Sequence, residues 1–521
     1  MREGQWGEAG SYPIFHVMTE YASGKRLGFH TPGHQGGLGM PSAFMKRLHA
    51  YGLALDLTEL PGLDNLSDPS GRMEESQKAL ADLTGAKETY YMVNGSTGGL
   101  EAAMLAMSSP GAPTLMPSHC HMAIHSGLIL TGSMPIILPC KVDPFWGLPL
   151  GLSPEVFPLV EYQTAKPDTP GGYHMGKALW VTVNPTYNGV FADLARERDL
   201  LRKHPGWSWL ADEAHGAHLP FEGKETPRDA LSMGAHVVVH SVHKMGVSLT
   251  QTGLLHCNDK GLSSRIRQAV NITQSSSPSY LLIASLEAWL AFLQDEGRTR
   301  LRYAKALGEE TEARIRALGG YRIWRDEIPV AYSVDQRKIT ISSFEMGIDG
   351  YELARRLADP HGIDVELAAG KYVLLHINVG HEEKDIDRLI GALRAIRDDS
   401  TRIGGGESGH AGVGGTGDHA GVRGEGLAEA LYPSTQEPWS PALTPREVFF
   451  AKRRQIALED APGLLSAATI TPYPPGVPIL FPGMVITKSK IEAIKDIKKA
   501  GHMCTGLILS EGRLCIEVVD G

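Results

Sequence analysis

Cysteine is scarce in this chain and never closely paired. Cys120, Cys140, Cys257, Cys504 and Cys515 are the five among 521 residues, and no two of them form a C-x-x-C spacing. Their scatter excludes a disulfide framework and a zinc ribbon and sets the expectation of a reducing compartment. A surplus of positive charge is also missing. The formal net charge is −9, so nothing draws the chain to nucleic acid or to an acidic membrane surface. No apolar run reaches membrane-spanning length, and the start Met1-Arg2-Glu3-Gly4-Gln5-Trp6 lacks the apolar core of a signal peptide. The expected location is therefore cytoplasmic. What is present is a hydrophobic share of 42%, ample for a large core, on a length that implies two or three domains.

The clearest break in composition lies at residues 401–426, where glycine fills nearly every second position. Such a segment cannot bury enough surface to offset its backbone entropy and is expected to be a flexible linker. Before it, apolar strand-like runs (residues 89–93, 178–183 and 237–239) alternate with helix-like ones such as 100–107. This alternation predicts an α/β fold, a mostly parallel sheet flanked by helices. A long charged helix is expected over 295–318, leading into a smaller α+β domain. After the linker, 444–458 reads as a helix, followed by the turn Thr471-Pro472-Tyr473-Pro474-Pro475-Gly476-Val477-Pro478 and a last small α+β unit. The expected division is an N-terminal arm (1–60), a large domain (61–294), a small α+β domain (295–400), a glycine-rich linker (401–440) and a C-terminal α+β domain (441–521).

The chemistry centres on Ser241-Val242-His243-Lys244, which follows the apolar run His236-Val237-Val238-Val239-His240. A lysine at the mouth of a buried strand is badly placed for a solvated charge. It suits Schiff-base chemistry, because partial desolvation lowers an amine pKa toward neutrality. Asp212-Glu213-Ala214-His215 ends another apolar strand about thirty residues upstream. An aspartate and a lysine so placed point to pyridoxal phosphate (PLP), the first holding the pyridine nitrogen protonated and the second carrying the aldehyde. Asn94-Gly95-Ser96-Thr97-Gly98-Gly99 joins a strand to a helix and offers a phosphate cradle of small residues, hydroxyls and a helix N-terminus. Alone it also reads as an ordinary turn and N-cap; with Asp212 and Lys244 in the right chain order the cradle is preferred. Ser241 and His243 are natural further phosphate donors.

Two other readings fail. Gly171-Gly172-Tyr173-His174-Met175-Gly176-Lys177 fits most of a P-loop, but Ala178 lacks the hydroxyl for magnesium and a strand, not a helix, follows. His119, His121 and His125 have no acidic residue nearby to complete a zinc site, so no metal is expected.

The chain resembles the Orn/Lys/Arg decarboxylases, PLP enzymes of the aspartate-aminotransferase-like fold. The resemblance rests on His30-Thr31-Pro32-Gly33-His34, Asp56-Leu57-Thr58-Glu59, Asn94-Gly95-Ser96-Thr97, Asp212-Glu213-Ala214-His215-Gly216-Ala217-His218, Ser241-Val242-His243-Lys244, Ser277-Pro278-Ser279-Tyr280 and Tyr473-Pro474-Pro475-Gly476. It implies Lys244 as the lysine that carries the cofactor, Asp212 as the partner of its ring nitrogen, and Gly95, Ser96, Thr97, Ser241 and His243 around its phosphate. It further implies His121 stacked on the ring and His215 close to the reacting centre. Ser275 or Ser276 would reach the phosphate of a neighbouring subunit, since family sites form at a homodimer interface. The length is similar to the short form without a receiver-like N-terminal domain, which favours a dimer-based assembly.

The activity implied is decarboxylation of a basic amino acid, arginine to agmatine first, with lysine or ornithine next, giving a polyamine precursor. Transamination, or a catalytically silent binding relative, are the alternatives. A basic substrate tail needs acidic groups, and Asp64, Glu59 and Glu366 are the candidates. Some positions depart from the family's pattern: its His-Lys-Ser is His121-Met122-Ala123 here, its Gly-His-Lys is Gly33-His34-Gln35, and its Pro-Gly-Glu is Pro482-Gly483-Met484.

Overall fold

The computed structural model describes residues 13–165, 177–223, 229–404, 439–473, 476–499, 503–510 and 512–520. Most of the expected linker, part of the P-loop-like segment, and Pro474-Pro475 lie outside these residues. The centre is a seven-stranded sheet. Its strands are β1 (Glu88–Met92), β2 (Pro113–Pro117), β3 (Met134–Leu138), β4 (Leu179–Val183), β5 (Ser208–Asp212), β6 (Val237–His240) and β7 (Gly253–Cys257). They lie in the order β1-β7-β6-β5-β4-β2-β3. Every neighbouring pair is parallel except those that β7 makes with β1 and β6. The expected mostly parallel α/β fold is borne out. Continuous apolar runs make these strands because helices cover both faces; Val237, Val238 and Val239 are wholly buried.

A second, antiparallel sheet contains β8 (Arg322–Ile323), β9 (Lys338–Ser342), β10 (Leu367–Ala368) and β11 (Val373–His376), in the order β8-β9-β11-β10. The first described strand of the chain, Leu27–Phe29, pairs in parallel with Ile363–Val365, so the N-terminal segment is built into this region. A third sheet near the C-terminus is formed by Arg453–Ala457, Ile508–Ser510 and Arg513–Val519.

Two expected helices are revised. The charged helix runs Arg298–Leu318, and Asp295 lies in a π-helical turn, Leu293–Gly297, that continues from the helix Tyr280–Phe292. The helix expected over 444–458 stops after Pro445–Phe450. Thr444 caps it with Glu447 in a capping box. Residues Arg453–Ala457 then become a strand, because they pair with Cys515–Val519, a partner remote in sequence that outweighs local helix propensity. The helix Glu383–Gly404 also runs slightly into the region expected to be linker.

Candidate active site

The carboxyl ends of parallel strands are where open α/β sheets place their ligands, and the sequence-predicted residues gather there. Helix α1 (Gly95–Met107) starts directly after β1, and its N-cap, Asn94, makes no side-chain capping bond. The Gly95 N–H donates to the Gln251 carbonyl at 2.8 Å, so it is the N–H groups of Ser96 and Thr97 that are left for an anion. The Ser241 hydroxyl donates to the Ser96 hydroxyl at 2.6 Å, bringing two distant segments into one cradle. A Cβ on Gly253 would stand 2.7 Å from the His240 carbonyl oxygen and 3.1 Å from the Ser96 nitrogen, so only glycine lets β7 pass beneath it. Thr97 is exposed on the same helical turn. These features fit the phosphate of PLP.

Lys244 sits in a short helical turn, Val242–Met245, at the end of β6. The loop around Gly33 lies on this turn, and the Gly33 N–H donates to the His243 carbonyl at 2.7 Å. Burial pushes the Lys244 amine below its ordinary pKa, with Asp212 and Glu366 opposing the shift. Asp212 ends β5 and is buried; burial raises its carboxyl, while the Lys244 charge and the Ala214 N–H pull it down. A buried carboxylate facing a buried amine is the pair that the pyridinium and the aldehyde of PLP require. His121 caps the helix Met122–Thr131, its Nδ1 accepting from the Ala123 N–H at 3.2 Å. Burial, then Lys244, lowers it to about 3, so the ring is neutral and its proton is on Nε2.

Three expected site residues have other occupations. His243 turns its Nδ1 to the Thr252 carbonyl at 2.8 Å. A carbonyl only accepts, so Nδ1 carries the proton, and burial lowers the ring to about 4. The neutral ring therefore has no donor left for phosphate, and its expected place there is revised to holding the lysine turn against Thr252. Asp64 takes N–H bonds from Asn65, Ser70, Gly71 and Met73, at 2.9 to 3.1 Å, and organises its own loop. Ser275 is exposed and its hydroxyl accepts the Ser277 N–H at 3.1 Å. Glu366, by contrast, is drawn into the cluster. It accepts from the Tyr187 hydroxyl at 2.6 Å and from the Thr31 N–H at 2.8 Å. Burial opposes its charge, but His376, Tyr187 and Thr31 hold it down to about 2. Glu59 keeps one buried carboxylate oxygen without a hydrogen-bond partner.

Sequence reading missed Lys338. It opens β9, is 1% exposed, and places its Nζ 2.6 Å from the Tyr187 carbonyl and 2.8 Å from His215 Nδ1. His215 Nε2 is in turn 3.2 Å from Lys244 Nζ. The signal was the one that singled out Lys244: a lysine at the end of an apolar strand, here Lys338-Ile339-Thr340-Ile341. Beside it a second buried set forms around Arg337, which binds Asp335 at 2.9 Å and also pairs with Glu222, while His218 Nε2 lies 3.1 Å from Asp335.

Known proteins resemble the chain over nearly all its length. Residues 12–328 match the major domain of the Orn/Lys/Arg decarboxylases and residues 426–506 match the C-terminal domain of the same family. The arginine decarboxylase of Halalkalibacterium halodurans is 30% identical over 495 residues, covering 94% of each chain. That of Bacillus subtilis is 30% identical over 493 residues, with the same coverage of both. Among solved structures, the constitutive lysine decarboxylase of Escherichia coli superposes with a TM-score of 0.73 at 20% identity, covering 98% of this chain and 82% of that one. The fold is thus the aspartate-aminotransferase-like fold of PLP enzymes, and the chain belongs to the Orn/Lys/Arg decarboxylase family as a PLP-dependent amino acid decarboxylase.

Proposed function

We propose that the enzyme decarboxylates arginine to agmatine, a polyamine precursor, as a cytoplasmic homodimer whose active site forms at the subunit interface. The observation that carries the substrate is the match, at 30% identity across 94% of both chains, to relatives named arginine decarboxylases. Among the described residues no helix is long and apolar enough to cross a membrane. Exposed Leu53, Leu57, Leu60 and Leu63 beside the Asp64 loop support self-association there, because a free surface rarely gathers so many large apolar side chains. The three sheets support a division into large, small and C-terminal units, with the Leu27–Phe29 strand tying the N-terminal arm to the small unit.

Bound in this site, PLP supplies an electron sink for the pair left behind when the carboxylate departs. The protein does the rest. The α1 N-terminus with Ser96 and Ser241 would hold the phosphate; Asp212 would keep a proton on the ring nitrogen; the neutral His121 would lie against the ring. Burial disfavours the charged form of the Lys244 amine and so favours the neutral amine, the state that attacks a carbonyl. His215, wedged against Lys244, is placed to hold and deliver a proton at the carbon that loses carbon dioxide. The inner acidic residue, Glu366, fixes Tyr187 and the Thr31 backbone. Ser275 and the Asp64 loop lie on exposed segments suited to completing the partner's site.

Carbon dioxide release from arginine, lysine and ornithine by the PLP-loaded enzyme tests the reading. The expected result is release from arginine at the highest kcat/KM. Release from none of the three, with a keto acid formed instead, would sink it.

A further inference from the structure

Lys338 stands at the centre of this inference. It is a buried amine with two partners, and their chemistry differs. The Tyr187 carbonyl can only accept. An ammonium can only donate, so His215 Nδ1, at 2.8 Å, must accept as well. The proton of the neutral imidazole is then on Nε2, the nitrogen that faces Lys244 Nζ at 3.2 Å. With Lys338 as the ammonium and Lys244 as the neutral amine that burial favours, donors and acceptors run in one direction, from Lys338 through His215 to Lys244. The rest of the pocket holds this line in place. Tyr187 sets its ring edge against His215, with centroids 4.9 Å apart, and its hydroxyl is fixed on Glu366. Gly189 makes room for the aliphatic stem of Lys338: a Cβ there would meet Lys338 Cδ at 2.9 Å.

We propose that Lys338 is a positioning residue that locks His215 in the Nε2–H tautomer and refills its proton during the reaction. The electron pair left on the α-carbon by departing carbon dioxide takes the Nε2 proton. As Nε2 gives that proton up, Nδ1 takes one from the Lys338 ammonium, so the imidazole stays neutral throughout. Lys338 is left as a neutral amine; water then supplies a proton to Nε2 while Nδ1 hands its proton back to Lys338, which restores the starting tautomer before the next turnover. The net uptake of one proton per carbon dioxide is what decarboxylation of a carboxylate requires. The groups that face Lys338 are Asp335 and Arg337 from its own strand end, Glu366 and His376 from the same sheet region, and His215 and Lys244 from the large sheet. Burial dominates among these influences and brings the amine down to about 7, a value from which it can both give and regain a proton near neutrality.

The kinetic part of this inference rests on the decarboxylase reading; the tautomer does not, and the two are tested apart. Neutron diffraction from the full-length, PLP-loaded enzyme in heavy water reads the tautomer directly. A deuteron on His215 Nε2 with none on Nδ1 is expected, and a deuteron on Nδ1 overturns the proposal even if arginine is the substrate. Kinetics then separate positioning from substrate binding. Lys338→Met should lower kcat by ~100-fold while KM changes less than ~3-fold. Lys338→Arg keeps a cationic donor to Nδ1 but cannot release a proton, so it should fall in between. The parent enzyme should show a decline in kcat as pH rises through the Lys338 titration, and Lys338→Arg should lack it. A Lys338→Met enzyme with raised KM and unchanged kcat would make Lys338 a substrate anchor and overturn the assignment.

Discussion

His215 and His218 stand three positions apart in the loop after β5, yet their surroundings are opposite. His215 is wedged between two amines, Lys244 and Lys338, at 3.2 and 2.8 Å. His218 lies 3.1 Å from Asp335, within a set where Arg337 also bridges to Glu222. Around His218 each charge meets its opposite, and the Asp335 carboxyl shows the result: burial opposes its charge, but Arg337 and His218 outweigh burial and hold it well below the ordinary range. Around His215 burial prevails. It lowers both lysines and the imidazole itself. One set of buried charges is spent on holding the loop to the small sheet. The other is left undercompensated, which makes it reactive.

The largest effect that tests this contrast comes from Lys244→Ala. Carbon dioxide release should fall on the order of 10⁴-fold or more, with the cofactor's absorbance band lost and the melting temperature unchanged or raised. A marked fall in melting temperature would mean that the reactive side also holds the fold. Next, Arg337→Met strands Asp335 and Glu222 in the interior and should cost about 3–5 kcal/mol in denaturant unfolding. The surviving folded enzyme should keep most of its kcat at low temperature. Loss of activity without loss of stability would erase the distinction between the two sets.

A smaller effect separates them by pH. Lys338 titrates near 7 when folded and in the ordinary lysine range when unfolded, so the unfolded chain holds the extra proton between those limits. Stability from this group therefore rises with pH across that window, by on the order of 2–3 kcal/mol between pH 7 and 10, and the rise should be missing from Lys338→Met. Asp335 gives a slope of the same sign in a far lower window. Its stabilisation is full above the ordinary carboxylate range and is lost only in strong acid, as pH falls through its depressed folded value. Smallest of all, Ser96→Ala should weaken PLP binding by about 1 kcal/mol, close to fivefold in Kd, and leave melting of the cofactor-free protein unmoved.

Much of this was legible in the chain itself. Lys244, Asp212 and Ser96 come at strand ends, where apolar runs stop abruptly, and a strand end in an α/β sheet is already a place for chemistry. Local patterns also placed a helix start at Thr444. They could not reveal where that helix stops, because Arg453–Ala457 is a strand only through its pairing with Cys515–Val519. Lys338 was hidden for a similar reason. Its meaning depends on His215, a residue 123 positions away in sequence, and on the room that Gly189 leaves. At Asp64 and His243 the sequence could not show that the carboxylate binds the N–H groups of its own loop and the imidazole the Thr252 carbonyl, because residue type is the same whether such a group is free or bonded.

A backbone contact links the C-terminal unit to the helix that His121 caps. The Met122 N–H, next to His121, donates to the Gly476 carbonyl at 3.1 Å. Binding equilibria that share a contact are coupled in both directions. Filling the site should therefore slow proteolysis of the C-terminal unit, and trimming that unit should loosen the enzyme's hold on its cofactor. On that expectation the C-terminal unit bears on cofactor retention without contributing a side chain to the chemistry proposed here.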